Sequence, residues 1–293
     1  MAGRASYLMV LHKVKAAARA AVALGALALV FNATPSVARE EGQRTALEKI
    51  QQGGTIAVAF YKEYAPFSDE GKGLDVDLAK ALAAKLGVKM APVFFAANDG
   101  VDVDLRKMVW KGTAISSPAD MMMHVPVDPH YMDKIKQVKV LGAYHRERFG
   151  LGRDVAKLPT LDNLEPFATL PIGVDGESMG ALVMASADGG RYRESIKIFK
   201  SAEEAIASLK EGKVAAVIAQ QGELESGVGG DSRFEVALPP HPILKMQQWV
   251  VGVAIKADEE ELAAALQTAM NELIADGTVA RIKGQYGVKD RKP

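Results

Sequence analysis

The stretch Gly53–Phe95, GGTIAVAFYKEYAPFSDEGKGLDVDLAKALAAKLGVKMAPVFF, decides the fold. Ile56, Val58 and Phe60 alternate with small residues after a Gly-Gly pair, the pattern of a mostly buried strand. Tyr61 to Gly73 holds two tyrosines, a Pro-Phe pair, acidic residues and glycines, and reads as a loop. A helix follows, for which Asp75 is placed to cap the first free N–H groups. Leu78, Leu82 and Leu86 recur every fourth residue as one buried stripe, Lys80 and Lys85 face out, and Gly87 ends the helix. Val88 to Phe95 returns as a strand. A helix joining two strands at this spacing makes them parallel neighbours with a right-handed crossover. Ligands of open α/β sheets sit beyond the carboxyl ends of the strands, so Tyr61, Tyr64 and Phe67 are expected to line a cleft.

Upstream, Arg4, Lys13, Lys15 and Arg19 form a basic start without acidic residues. Ala20–Phe31 is a short apolar run, and Ser36-Val37-Ala38 supplies small residues for cleavage after Ala38. Residues 1–38 are therefore read as a signal peptide and the chain as periplasmic; an uncleaved anchor is the alternative. The whole chain has 36 basic and 36 acidic residues, so removing these four positive charges leaves a mildly acidic protein. Such a balance offers no basic field to nucleic acid or an anionic membrane. The absence of cysteine excludes disulfides, thiolate catalysis and cysteine-based metal sites.

Downstream, Asp102–Trp110 reads as a helix with Leu105 and Val109 inward. The acidic cluster Asp99, Asp102 and Asp104 lacks the glycine and closing glutamate of a calcium loop and is read as a solvated helix start. Ala119–Val125 is a third buried strand whose methionine triplet fills core. His124 stands at its end near the cleft, followed by Asp128 and His130 on a proline-rich turn too rigid to converge on a metal. Val138–Ala143 is a strand, and the charged run HRERFG after it marks a crossing between lobes. Leu170–Val174 is a strand, and Glu177 and Ser178 open the helix after it, opposite the aromatic loop. Ile196–Phe199 and Val214–Ala219 are strands around a helix opened by a capping box at Ser201. Val250–Ile255 is a strand, Asp258–Glu261 a second capping box, and Leu262, Leu266, Ala269 and Leu273 the stripe of a long helix. No GxSxG, HExxH, phosphate-loop or dinucleotide fingerprint occurs.

The segments GTIAVAFYKEYAPFSDEGKGLDVDLAKALAAKLGV, SAEEAIASLKEGKVAAVIA and LQTAMNELIADGTVARIKGQYG resemble family-3 bacterial solute-binding proteins, the periplasmic receptors of polar amino-acid transporters. The resemblance implies an α/β, two-lobed periplasmic binding protein fold (type II, Venus flytrap). Lobe 1 would comprise residues 39–143 and 254–293, and lobe 2 residues 144–253. Departures from the family pattern argue against ordinary amino-acid binding. Where the family carries a Thr-x-x-Arg clamp, this chain has VPVDPHYMDKIKQ; Ala215 stands at a usual aspartate, and Gln220 and Gln221 where an acidic residue follows the strand. A zwitterion would be left with unpaired, desolvated charges.

DVDLRKMVWKG and ADMMMHVPVDP resemble the subgroup encoded beside quinoprotein methanol dehydrogenases, the MxaJ/XoxJ type, and are closer to the lanthanide-associated XoxJ branch. This implies an accessory factor that binds the apo form of a PQQ-dependent methanol dehydrogenase and assists its maturation, with no cofactor, metal or catalysis of its own. The alternatives are a transporter receptor for a solute other than a standard amino acid, and a dehydratase-like enzyme using His124 or Glu177. The expected cleft is Tyr61, Tyr64, Phe67, His124 and Asp128 facing Glu177 and Ser178, with apolar residues around Val101–Trp110 as a partner surface.

Overall fold

The computed structural model describes residues 44–97, 100–127, 135–240 and 248–293. The signal peptide, the turn at Asp99, and Asp128 with His130 lie outside them. Helix α1 (Ala46–Gly53) precedes β1 (Thr55–Tyr61), α2 (Leu74–Lys85) and β2 (Lys89–Phe95). β1 and β2 pair in parallel from Thr55↔Lys89 to Tyr61↔Phe95, as the opening stretch predicts. Leu78 and Leu82 are fully buried and Leu86 nearly so, and each fully buried leucine contributes about 1.5–3 kcal/mol. Gly87, at φ 75°, turns the chain out of α2.

The start of α2 differs from the sequence expectation. Its N-cap is Gly73 and no side chain caps it. Two carbonyls of the aromatic loop do the work instead: Leu74 N–H donates to Pro66 O and Asp75 N–H to Phe67 O, each at 2.9 Å. Gly73 sits at φ 128°, and a Cβ there would lie 2.2 Å from Phe67 O, so loop and helix start interlock only with glycine. Asp75 is thereby freed from capping and turns inward, 1% exposed.

A short helix α3 (Val101–Leu105) continues as a π-helical turn (Arg106–Trp110), and β3 spans Met121–Pro126. Leu105 and Val109 are buried as expected, but Asp104 is also buried and accepts from Tyr61 Oη at 3.1 Å, so it is not part of a solvated helix start. Leu105 and Val109 are buried, and Val101, Val103, Met108 and Trp110 are only partly exposed, so this segment itself presents little of the expected apolar partner surface. Met121 and Met123 pack on one face of β3 and Met122 on the other, filling two cores.

The charged run read as a crossing between lobes lies within one long strand, β4 (Val138–Asp154). Up to Arg148 it pairs antiparallel with β9 (Gln248–Lys256); from Phe149 it pairs with β7 (Ala216–Gln220) and, over Leu151–Asp154, with β8 (Phe234–Ala237). The strand order is β2-β1-β3-β9-β4-β7-β5-β6, with β5 (Ile172–Asp175) and β6 (Ile196–Phe199) at the far end. β4 thus runs through the junction of two half-sheets, and β9 returns beside it. Helices α4 (Met179–Ser186), α5 (Ala202–Lys210) and α6 (Gln221–Val228) cover the second half-sheet; α7 (Glu260–Ala275) and α8 (Thr278–Gln285) return to the first.

Both expected capping boxes are altered. Ser201 Oγ accepts from Glu204 N–H, but Glu204 Oε2 takes the N–H of Lys200 rather than that of the cap. α7 begins at Glu259 without a side-chain cap.

Candidate functional site

The junction is filled by buried polar side chains. β3 carries a bulge between Met122 and Val125, and within it His124 adopts φ 60°, a conformation a non-glycine residue holds only when its surroundings impose it. The bulge aims the imidazole inward. Nδ1 lies 2.9 Å from Asp75 Oδ2 and Nε2 lies 3.1 Å from Tyr64 Oη. Tyr144 Oη donates to Asp75 Oδ1 at 2.6 Å and accepts from His124 N–H at 3.2 Å. Tyr64 Oη then donates to Gln220 Oε1 at 2.7 Å, a bond from the first half of the molecule to the end of β7 in the second. Burial, with Glu223, Glu147 and Asp75 nearby, pushes the Tyr64 hydroxyl well above its ordinary pKa, so it remains a donor.

Beside this chain runs a second. Glu147, fully buried on β4, accepts from Arg148 N–H at 2.8 Å and from Gly222 N–H at 3.3 Å, with His145 Nε2 at 3.4 Å. Burial alone would raise its pKa, but His145, the Arg148 N–H and Arg291 outweigh it and hold the carboxyl below the usual range. A Cβ on Gly222 would stand 2.7 Å from Glu147 Oε2 and 2.8 Å from the Phe67 ring. The C-terminal tail straps the same place: Arg291 Nη1 reaches both oxygens of Glu225 on α6 at 2.7 and 2.9 Å, and Arg291 Nε donates to Arg146 O at 3.2 Å.

A cavity of about 1190 Å³ opens beside this latch, walled by Tyr64, Phe149 and Trp249 and by residues at the starts of α4, α5 and α6. Of the expected cleft residues, Tyr64 and Ser178 line it. Tyr61, bonded to Asp104, and Phe67 and His124, buried under Tyr64, do not. Phe67 and His124 pack with tilted rings, 4.3 Å between centroids, and belong to the latch. Glu177 is exposed on a separate surface depression. Neither group invoked by a dehydratase-like reading therefore faces the cavity. Phe149 within β4, Trp249 at the start of β9 and Glu223 in the first turn of α6 also line it, and no motif of the sequence points to them. Among the described residues there is no group of three metal-ligating side chains, and no helix is long and apolar enough to cross a membrane.

Glu223 is half-buried, accepts from Gln220 N–H at 2.9 Å, and has its pKa pushed up to about 8 by burial and by Glu147 and Asp175. An acid with a raised folded pKa holds its proton more tightly folded than unfolded. Its contribution to stability is full below pH 4.5 and is lost as pH rises through about 8. Glu223→Gln keeps the acceptor and removes the titration. Its melting temperature is expected to fall less between pH 6 and 9 than that of the native chain, by several degrees; equal slopes would contradict the assignment.

No family model matches the chain, and no curated protein matches it. Solved structures do. An ancestral cationic amino acid solute-binding protein superposes with TM-score 0.63 at 21% identity, covering 82% of this chain and 99% of that one. An amino acid ABC transporter substrate-binding protein from Streptococcus pneumoniae, bound to L-arginine, gives 0.59 at 20%, covering 83% and 98%. A Streptococcus pneumoniae ABC uptake transporter binding protein with bound histidine gives 0.58 at 15%, covering 83% and 96%. Together with the topology, these likenesses define the class by fold: the chain has the two-lobed α/β fold of periplasmic binding proteins, the Venus flytrap.

Proposed function

We propose that the protein is a periplasmic, binding-protein-like accessory factor that binds the apo form of a PQQ-dependent methanol dehydrogenase, of the lanthanide type, and assists its maturation. The single observation that carries this reading is the latch. The loop-to-β7 bond that a captured solute would be expected to bridge is made by the chain's own Tyr64 and Gln220, backed by His124 and Asp75. The resemblance of residues 102–112 and 119–129 to the dehydrogenase-associated subgroup supplies the partner. A protein partner requires no closure of the cleft. In sedimentation velocity, the mature chain mixed with apo-dehydrogenase is expected to form a faster-sedimenting complex at micromolar concentrations. Independent sedimentation of the two proteins at tens of micromolar would overturn the reading.

A second reading, a receptor for a solute other than a standard amino acid, is favoured by the open cavity. Named neighbours bind arginine and histidine. Among the described residues Lys200 is the single cation on the cavity wall, and none of those lining it is an arginine that could clamp a carboxylate.

A further inference from the structure

We infer that the cavity is a binding site for a small organic cation that carries no carboxylate, of the alkylammonium or diamine type. The inference goes beyond the accessory role and does not depend on a dehydrogenase partner. Among the described residues six carboxyl groups line the cavity, those of Glu63, Asp69, Asp175, Glu203, Glu204 and Glu223, against one ammonium, that of Lys200. The charge is not the whole site. Phe149 on β4 and Trp249 on β9, the two strands that pass through the junction, pack with centroids 5.3 Å apart and present aromatic surface to the same space, with Tyr64 opposite. Aromatic faces over a cavity with negative walls attract a cation through both the ring quadrupole and the field.

The helix starts, where an anion could be held, are partly taken. Helices α4, α5 and α6 all begin at the cavity, and free N–H groups at such ends receive carboxylates. Here side chains of the chain itself already occupy part of each end. Asp175 Oδ1 accepts from Glu177 N–H at 3.0 Å, and Ser178 Oγ accepts from Ala181 N–H at 3.2 Å. Glu204 Oε2 accepts from Lys200 N–H at 3.1 Å, and Ser201 Oγ accepts from Glu204 N–H at 3.2 Å. Glu223 Oε2 accepts from Gln220 N–H at 2.9 Å. A ligand carboxylate would compete with these groups and would find no arginine among the described lining residues. A bare ammonium meets the carboxylates of Glu63, Asp69, Asp175, Glu203 and Glu204 on the described wall.

Glu223 gives the site a signature. It is faced by Tyr64 of the aromatic loop, Glu147 of β4 and Asp175 after β5, with Glu203 of α5 on the same wall and Lys200 as the nearby cation. Its proton is held up to about pH 8 by burial and by Glu147 and Asp175, and a bound cation favours its loss. Binding is therefore expected to tighten as pH rises.

The test is calorimetric titration of the mature chain with tetramethylammonium chloride and 1,4-diaminobutane, at matched ionic strength, against L-arginine and L-glutamate. Saturable binding of at least one cation is expected, about tenfold or more tighter than that of either amino acid. Trp249→Ala and the exposed pair Glu203→Gln/Glu204→Gln should each weaken it about tenfold, the latter without disturbing packed residues. Affinity should rise between pH 6 and 9 in the native chain and stay flat in Glu223→Gln. No saturable heat with either cation at about 10 mM, or tighter binding of L-arginine than of 1,4-diaminobutane, would overturn the proposal.

Discussion

Replacing Asp75 with alanine is expected to lower the unfolding free energy by about 3–5 kcal/mol. Asp75 is 1% exposed, and its two oxygens serve different partners, His124 Nδ1 at 2.9 Å and Tyr144 Oη at 2.6 Å. Truncation strands both partners in a space closed to water by Phe67 and β3, and it removes what holds His124 at φ 60°. Asp75→Asn keeps one acceptor and should cost less, and Tyr144→Phe, which removes one hydroxyl, about 1–2 kcal/mol. Urea unfolding followed by fluorescence measures all three. A loss below about 1 kcal/mol for Asp75→Ala would mean that the network is not a unit.

Glu147→Ala should be comparably severe, about 3–5 kcal/mol, but with its damage concentrated where β4 passes between the half-sheets. The carboxylate gathers the N–H groups of Arg148 and Gly222, with His145 and, at 4.0 Å, Arg291 beside it. Without it Gly222 N–H loses its acceptor, and the imidazole and guanidinium lose a neighbouring charge. Hydrogen exchange at the Gly222 amide should accelerate by about tenfold or more while amides of β1 and β2 change less. Because the folded pKa of Glu147 lies below 4.5, its contribution is present above that pH and is lost on acidification; the variant should therefore lose less stability than the native chain below pH 4.5. Uniform acceleration across both half-sheets would contradict a local role.

How much of this was legible in the sequence follows from the range of the interactions. β1, α2 and β2 are specified by local alternation, a fourfold leucine spacing and Gly87, and the parallel pairing appears as expected. The full length of β4 is hidden in the sequence because the apolar strand Val138–Ala143 gives way to the charged run HRERFG. In the structure His145 and Glu147 alternate inward with Arg146 and Arg148 facing out, a strand pattern written in charged residues. Asp75 looked like a cap because its sequence position fits one; that two loop carbonyls would take over the capping depends on a turn no local rule gives. The candidate site was legible only as a neighbourhood. Tyr64 and Ser178 line the cavity, while Phe67 and His124 are drawn beneath Tyr64 by contacts with residues as distant as Asp75 and Tyr144.

The central claim is that the chain holds its own lobes together and recognises a protein. One calorimetric titration series tests it most directly, with the mature chain titrated by apo PQQ-dependent methanol dehydrogenase and, separately, by a panel of standard amino acids. The account predicts saturable micromolar binding to the dehydrogenase and no saturable heat from the amino acids. Micromolar binding of an amino acid with no heat from the dehydrogenase would contradict it.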